Sequence, residues 1–301
     1  MTSDIIKAID RLRQQRQALI LAHNYQRGEI QDIADFVGDS LELSRQAAAT
    51  DARVIVFCGV HFMAETAKIL SPDKTVLLPD LHAGCPMADM ITPEQLAAEK
   101  AKHPGAQVVC YVNSSAAVKA LCDVCCTSAN AIKVVEAMAP DRPVIFVPDQ
   151  YLGHYAQEKT GRELILWPGY CPTHMKITVE QIVALKAQHP GVEVVVHPEC
   201  RPDVVQAADQ ALSTGGILRY ARSYQGQTLI VGTETGILHR LAKENPGKTF
   251  IPVNDKAVCP NMKRITLEKV LASLESMRHP IEVPEDIRQK ALASVERMLA
   301  L

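Results

Sequence analysis

Short apolar runs alternate with stretches of helical periodicity along almost the whole chain. The first helical pattern covers residues 5–16, and the apolar run 18–22 that follows has the length of a buried strand. Further apolar runs predict strands at 54–57, 75–78, 107–110, 144–147, 164–166, 192–196, 228–231 and 250–253. Further helical patterns predict helices at 30–37, 41–48, 63–69, 153–158, 237–244 and 285–301. Apolar strands that alternate with helices indicate parallel sheets covered by helices.

Three of these apolar runs lead into the same short motif. Each is followed by a loop with one cysteine and a proline, and Ile-Thr stands six residues after each cysteine. The three copies are Cys85-Pro86, Cys171-Pro172 and Cys259-Pro260, followed by Ile91-Thr92, Ile177-Thr178 and Ile265-Thr266. A threonine before a polar first turn is typical of a helix N-cap, so we expect a helix to begin after each Ile-Thr. The nearly equal spacing of the cysteines predicts a threefold internal repeat.

The repeat predicts the fold class. We expect three homologous three-layer αβα domains with parallel sheets, related by a pseudo-threefold axis. The predicted domains are residues 1–86, completed by the C-terminal helix 284–301, then residues 87–172 and residues 173–283. A single eight-stranded barrel also suits this length, but three similar units do not divide naturally into eight.

Composition narrows the class of protein without identifying its chemistry. The 301 residues are 47% apolar and 22% charged, as in ordinary globular proteins. A net charge of −2 gives no electrostatic reason to expect nucleic acid or an anionic membrane as a partner. No apolar run is long enough to span a bilayer, and the N-terminus lacks the pattern of a signal peptide. Nine cysteines, an odd number, favour a reducing compartment, so we expect a cytoplasmic protein.

Alignment on the cysteines brings polar residues into register. At the end of the first strand the copies are His23-Asn24-Tyr25, Tyr111-Val112-Asn113 and His197-Pro198-Glu199, and further on they are Asp39-Ser40, Thr127-Ser128 and Ser213-Thr214. Ligands of parallel sheets bind beyond the carboxyl ends of the strands, so three sheets that meet there would enclose one polar cavity. Hydroxyls at a helix start suit a carboxylate or phosphate, although Ser40, Ser128 and Thr214 could equally be plain helix caps.

The repeated cysteines carry the strongest chemical signal. Three thiolates suit zinc or an iron–sulfur cluster, and the pattern does not choose between them. Without a fourth cysteine in register the metal would keep an open position, as catalytic sites do. The other cysteines have simpler interpretations: Cys58, Cys110 and Cys200 as apolar core residues, and Cys122 with Cys125 as a competing metal or redox pair that has no counterpart in the other copies. Three histidines out of register are interpreted as surface or supporting residues, namely His61, His82 and His174.

Several longer motifs make the chain resemble a known family over essentially its whole length. They are Ala22-His-Asn-Tyr-Gln26, Gly38-Asp-Ser40, Phe57-Cys-Gly-Val-His-Phe-Met-Ala-Glu65, Tyr111-Val-Asn-Ser114, Cys126-Thr-Ser-Ala-Asn130, His197-Pro-Glu-Cys200 and Cys259-Pro-Asn-Met-Lys263. The family is that of the quinolinate synthases, the A proteins of de novo NAD biosynthesis, whose members are built from three homologous αβα domains.

The resemblance implies a reaction and a cofactor. It implies a [4Fe–4S] cluster on Cys85, Cys171 and Cys259, with one iron open to substrate, and condensation of iminosuccinate with dihydroxyacetone phosphate to quinolinate, phosphate and water. It also implies a functional link to an L-aspartate-oxidising enzyme. By motif position the implied substrate-binding residues are His23, Ser40, Tyr111, Asn113, Ser128, His197, Glu199 and Thr214. The implied acid–base group consists of Tyr25, Tyr111, His197 and Glu199.

The chemistry of the side chains supports the same reaction class, with two alternatives open. Loss of water and proton movement on carbon call for an acid–base pair and a Lewis acid, and we expect Glu199, beside His197 and facing Tyr25, to move protons. A zinc-dependent lyase or aldolase could use the same three thiolates. A non-catalytic iron–sulfur sensor or scaffold would leave the polar residues in register without a purpose.

Overall fold

The computed structural model describes residues 2–301, whose strands form three separate four-stranded parallel sheets. The strands are β1 Ala18–His23, β2 Phe36–Gly38, β3 Val54–Cys58, β4 Thr75–Leu77, β5 Gln107–Tyr111, β6 Val124–Cys126, β7 Val144–Val147, β8 Ile165–Leu166, β9 Val194–Val196, β10 Gln210–Ala211, β11 Thr228–Gly232 and β12 Thr249–Pro252.

Helices cover the sheets and connect their strands. They are α1 Thr2–Arg16, α2 Gly28–Ile33, α3 Ser40–Ala49, α4 His61–Leu70, α5 Pro93–Lys102, α6 Ala116–Lys119, α7 Ala131–Glu136, α8 Gln150–Thr160, α9 Val179–Gln188, α10 Pro202–Ala207, α11 Thr214–Ser223, α12 Ile237–Glu244, α13 Leu267–Ser276 and α14 Glu285–Ala300. Short 3-10 turns follow the three Cys-Pro motifs at Ala88–Met90, His174–Lys176 and Met262–Arg264.

The three sheets share one topology. Their strand orders are β2-β1-β3-β4, β6-β5-β7-β8 and β10-β9-β11-β12, and every pairing is parallel. The prediction of three homologous three-layer αβα units is therefore confirmed, and residues 2–301 form no eight-stranded barrel. Each sheet falls within one of the predicted ranges 1–86, 87–172 and 173–283, while the boundaries themselves remain a prediction.

The central strands are apolar because helices exclude water from both of their faces. All five residues of β3 are buried, as are all of β7 and β9. This explains why they appear in the sequence as continuous apolar runs rather than as alternating patterns.

One edge strand of each sheet, namely β2, β6 or β10, differs from the sequence prediction. The helix expected at 30–37 is wrong in its second half, because α2 ends at Ile33 and Phe36–Gly38 forms edge strand β2, with Phe36 paired to Leu21 of β1. Strands β6 and β10 were not predicted at all. Edge strands of two or three residues are too short for a hydrophobic period, so pairing with a neighbour decides their conformation.

The expected helix starts after Ile-Thr are confirmed. Thr92 and Thr178 each form a capping box, in which the threonine hydroxyl accepts from the backbone amide of Gln95 or Gln181 and the glutamine returns a bond. Thr266 occupies the same position before α13, but its side chain makes no capping bond to the helix amides.

The C-terminal helix lies between the first two repeats. Helix α14 packs on α6 and β6 of the second repeat and on α4 of the first. Ser294 donates to the carbonyl of Lys119 at 3.0 Å, and the Asn130 side chain donates to the carbonyl of Met298 at 3.2 Å. The helix that packs on α1 is α13, so the assignment of residues 284–301 to the first domain alone remains a prediction. Across residues 2–301, every helix is too short or too polar to cross a bilayer.

Candidate active site

Cys85, Cys171 and Cys259 line a single cavity. Each is half-buried and each is a free thiol. The loops come from three different sheets, and each reaches the cavity because it follows the last strand of its sheet, as the repeat requires.

The nine other predicted site residues line the same cavity. They are His23, Tyr25, Ser40, Tyr111, Asn113, Ser128, His197, Glu199 and Thr214. The arrangement agrees with the expectation that the carboxyl ends of the strands meet. It brings the predicted residues together without testing the role of any one of them.

The three hydroxyl residues are not plain helix caps. The N-cap residues of α3, α7 and α11 are Asp39, Asn130 and Ser213, so the capping interpretation of Ser40, Ser128 and Thr214 is wrong. The Ser128 hydroxyl instead lies 3.0 Å from His197 Nε2, and the Thr214 hydroxyl accepts from the Asn24 amide at 2.9 Å. Both contacts join different repeats.

Glu199 is a buried acid of the cavity walls that contacts two other residues, Tyr111 and His174. It is 4% exposed, its Oε1 accepts from the Tyr111 hydroxyl at 2.5 Å, and its Oε2 lies 2.8 Å from His174 Nδ1. Burial raises the pKa of Glu199, but the charge of His174 and the hydrogen bonds from His174 and Tyr111 outweigh it and hold this pKa well below its usual range. The carboxylate is therefore ionised at neutral pH.

His174 links Glu199 to a second tyrosine. Its Nε2 lies 2.9 Å from the Thr233 hydroxyl, which lies 2.5 Å from the hydroxyl of Tyr25. A continuous chain of contacts therefore runs from Tyr25 through Thr233 and His174 to Glu199. Glu199 and Tyr25, which the sequence analysis expects to face each other, are thus linked through His174 and Thr233. The chain of contacts crosses from the first repeat to the third.

The two tyrosines are protonated hydrogen-bond donors rather than phenolates. Burial and the charge of Glu199 raise the pKa values of Tyr25 and Tyr111 well above the usual range. Each hydroxyl therefore keeps its proton at neutral pH and can donate a hydrogen bond to an anionic ligand.

His23 and His197 are neutral and similarly oriented. Burial lowers the pKa of each to about 3. In each, Nδ1 accepts from the backbone amide two residues on, that of Tyr25 at 3.2 Å and that of Glu199 at 3.3 Å. This bond assigns the ring proton to Nε2, which His197 directs at Ser128.

Three contributors were not among the predicted site residues. His174 is buried, stacks on His197 at a centroid distance of 4.9 Å and contacts Glu199, so of the two interpretations given for it the supporting role fits and the surface position does not. His174 lies three residues after Cys171, and the corresponding residues after the other two repeated cysteines are Ala88 and Met262. Alignment of the repeats therefore did not single out His174. Thr233 and Glu234 lie in a glycine-flanked loop that matched no nucleotide-binding motif.

The remaining candidates lie outside the cavity lining. His82 is exposed, and His61 is half-exposed with Nδ1 at 3.8 Å from Glu65. Cys122 is half-buried and Cys125 is buried in β6. Neither belongs to a group of metal-ligating side chains within residues 2–301.

The donor atoms of the cavity suit a soft metal centre. Three thiols from three loops line it, and the ligand atoms of Cys171, His174 and Glu199 all lie within 4.8 Å of one another. Burial raises the pKa of Cys85 to about 12 and that of Cys171 well above its usual range in the metal-free protein. Such thiols ionise when a metal cation replaces the proton, so the three cysteines fit an iron–sulfur cluster.

Comparison with known proteins gives one consistent family. The family model described as "Quinolinate synthetase A protein" matches residues 7–300. A quinolinate synthase of Dehalococcoides mccartyi strain CBDB1 is 61% identical over 291 residues, covering 97% of this chain and 96% of its own. One of Desulforudis audaxviator is 56% identical over 301 residues, with 100% and 99% covered. One of Methanoregula boonei is 55% identical over 300 residues, with the same coverage.

Among solved structures, the E-1-hydroxy-2-methyl-but-2-enyl-4-diphosphate reductase of Plasmodium falciparum aligns with 92% of this chain and 83% of its own. The TM-score is 0.30 and the identity 9%. This likeness is too low to support an argument.

Proposed function

The chain belongs to the quinolinate synthetase A protein family, and from this premise we propose that it condenses iminosuccinate with dihydroxyacetone phosphate to quinolinate, phosphate and water. The observation that carries the proposal is the convergence of three repeated cysteines and nine polar residues on one cavity. The reaction would supply de novo NAD biosynthesis, in the cytoplasm, with iminosuccinate coming from an L-aspartate-oxidising enzyme.

Cys85, Cys171 and Cys259 would hold a [4Fe–4S] cluster with one iron open to substrate. When bound, that iron would act as a Lewis acid on a substrate hydroxyl or carboxylate and ease the loss of water. With three ligands from three loops, the fourth position would be left to the substrate rather than to the protein.

The hydroxyls and neutral imidazoles would bind the anionic substrates. Ser40 and Thr214 lie at helix starts, where the helix dipole favours negative charge, and each can donate a hydrogen bond. His23 carries its proton on Nε2 and adds no positive charge, so it would orient a carboxylate without binding it too tightly to release.

Glu199 and Tyr111 would move the protons. The Glu199 carboxylate is ionised and can take a proton from substrate carbon, while His174 stabilises the negative charge before the transfer. The Tyr111 hydroxyl, which donates to Glu199 in the free enzyme, can turn to a leaving oxygen. A water-poor cavity between the repeats would protect the hydrolysable imine.

The test is to purify the protein anaerobically and to measure iron, sulfide, visible absorbance and quinolinate formation from the two substrates. We expect about four iron and four sulfide ions per chain, as a [4Fe–4S] cluster requires. Cys171→Ala should remove both colour and activity. Cys58→Ala, a buried cysteine of β3 outside the cavity lining, should retain both. A colourless but fully active Cys171→Ala enzyme contradicts the cluster assignment.

One observation favours a second candidate. Cys171, His174 and Glu199 offer sulfur, nitrogen and oxygen donors within 4.8 Å, a set that suits a single zinc ion. A zinc-dependent lyase or aldolase would then act on a phosphorylated sugar. Zinc at one ion per chain, without sulfide, would support this candidate and exclude the first.

A further inference from the structure

The three cysteine loops are anchored in the same way. The donor lies three residues after β3, β7 or β11, and its backbone amide donates a hydrogen bond. The acceptor is the backbone carbonyl of the residue two positions before the cysteine of the same repeat. The pairs are His61 with Ala83 at 2.8 Å, Gln150 with Gly169 at 2.9 Å, and Thr235 with Ala257 at 3.1 Å. Because these three hydrogen bonds occupy the same place in each repeat, the residues immediately before the three donors are structurally equivalent.

These equivalent residues differ in chemistry. They are Val60, Asp149 and Glu234. Val60 has no polar group, and Asp149 uses Oδ1 to cap α8 through the amides of Tyr151 and Leu152. Glu234 instead contacts the cysteine loop of its own repeat: its Oε1 accepts a hydrogen bond from the backbone amide of Cys259 at 3.1 Å.

Glu234 is a fully buried carboxylate with its charge compensated. It is 0% exposed, and its Oε1 lies 3.0 Å from Lys263 Nζ. Its Oε2 accepts from the amide of Gly236 at 2.7 Å. Lys263 also donates to the carbonyl of Tyr25, so the pair joins the third cysteine loop to the first repeat. A buried ion pair that satisfies this many donors is expected to favour one arrangement of its loops.

The packing around the pair excludes a side chain at position 236. A Cβ there would lie 2.5 Å from Lys263 Nζ, 2.6 Å from the Tyr25 carbonyl oxygen and 2.7 Å from Glu234 Oε2. The close approach of these three groups therefore depends on glycine.

We propose that Glu234, held by Lys263, is the positioning residue of the third cysteine loop. It fixes the Cys259 amide and ties this loop to Tyr25, so that Cys259 faces the cavity before any metal binds. The inference deepens the proposed function and rests on it for the role of Cys259 as a cluster ligand. The loops of Cys85 and Cys171, which lack an equivalent carboxylate contact from Val60 and Asp149, serve as internal controls.

The first measurement is hydrogen–deuterium exchange of the metal-free protein. Glu234→Gln removes the charge and replaces one acceptor oxygen by a donor, and Lys263→Met removes the partner. We expect each variant to speed exchange of the Cys259 amide by at least about tenfold, and to leave the loops of Cys85 and Cys171 unchanged, because a lost hydrogen bond of ordinary strength has about that effect. Glu296→Gln, which removes an exposed charge from α14, should exchange like the unaltered protein.

The second measurement is retention of iron after anaerobic reconstitution and a chelator challenge. We expect Glu234→Gln and Lys263→Met to lose iron at least threefold faster than Glu296→Gln. Wild-type exchange at Cys259 in both variants overturns the inference, and so does faster exchange with unchanged retention. If neither the variants nor the unaltered protein binds iron, the cluster assignment is contradicted. The exchange measurement still decides whether Glu234 positions the loop.

Discussion

At the scale of single residues, the cavity places the ionised carboxylate of Glu199 beside uncharged imidazoles and hydroxyls. Glu199 keeps its charge because His174 and Tyr111 compensate its burial. His23 and His197 stay uncharged because the nearby charge of Glu199 does not outweigh their burial. Burial lowers the pKa of each to about 3. The cavity therefore holds a base and several neutral hydrogen-bond donors at neutral pH.

Glu199→Gln should stall turnover while the metal centre remains. The amide cannot accept a proton from carbon, so we expect kcat to fall by about 10²–10⁴-fold with iron content and colour unchanged. The matched control is Glu193→Gln, because Glu193 also accepts from a tyrosine hydroxyl, that of Tyr220, but does not line the cavity. A Glu199→Gln enzyme with near-normal kcat removes this residue from the mechanism.

The neutral histidines predict a specific acid sensitivity. Each has a folded pKa of about 3 against 6.5 for the free side chain, so the unfolded chain binds more protons as the pH falls below 6.5. The free energy of unfolding should therefore be unaffected by them above pH 6.5, and should fall below it by up to about 1.4 kcal/mol per pH unit for each histidine.

Urea midpoints measured at pH 7.5 and 5.5 check this expectation. His23→Gln should show a smaller loss of stability between the two pH values than the unaltered protein. His82→Gln, at an exposed position, should show the same loss as the unaltered protein. Equal losses in all three proteins contradict the assignment of His23 as a buried neutral group.

At the scale of elements, the three repeats share the same order of loop, turn and helix after the cysteine but differ in the hydrogen bonds that cap the helix. After each Cys-Pro loop a 3-10 turn leads to Ile-Thr and a helix. Thr92 and Thr178 close capping boxes, whereas the Thr266 side chain makes no capping bond. The cap satisfies amide groups that have no partner within the helix, so its presence contributes to stability.

Removal of the cap hydroxyl should therefore have unequal effects. We expect Thr92→Ala to lower the free energy of unfolding by about 1 kcal/mol, because the amide of Gln95 loses its acceptor. Thr266→Ala should lower it by less than half as much. Denaturant titration of the two variants measures both values, and equal losses contradict the explanation by capping.

At the scale of the whole molecule, the site exists only where the repeats meet. Tyr111 of the second sheet bonds Glu199 after β9, and Tyr25 after β1 bonds Thr233 after β11. Asn24 contacts Thr214, and Ser128 contacts His197. A change in the relative position of two repeats therefore breaks bonds inside the cavity itself.

Gly236→Ala tests this dependence at one point of contact. The added methyl would overlap Lys263, Glu234 and the carbonyl of Tyr25, so we expect a loss of about 1–3 kcal/mol in the free energy of unfolding, seen as a lower thermal midpoint. Gly84→Ala is the matched control, since no heavy atom lies within 4 Å of a Cβ at that position. A Gly236→Ala protein as stable as Gly84→Ala contradicts the close packing described between the repeats.

The sequence by itself determined the repeated architecture and the residues in register. Cys85, Cys171 and Cys259 could be selected because the repeat lies in the linear order of residues, and apolar strand runs report burial directly. The same alignment found His23, Tyr111 and Glu199.

Only the tertiary structure decided which side chains contact one another. His174 and Glu234 belong to the site although the other repeats have no similar residue at the same position, because their partners come from other loops or other repeats. Edge strands β2, β6 and β10 were missed for a related reason, since two or three residues have no period and take their conformation from the strand beside them. Contacts between distant residues depend on how whole layers pack, and a one-dimensional pattern contains no measure of that packing.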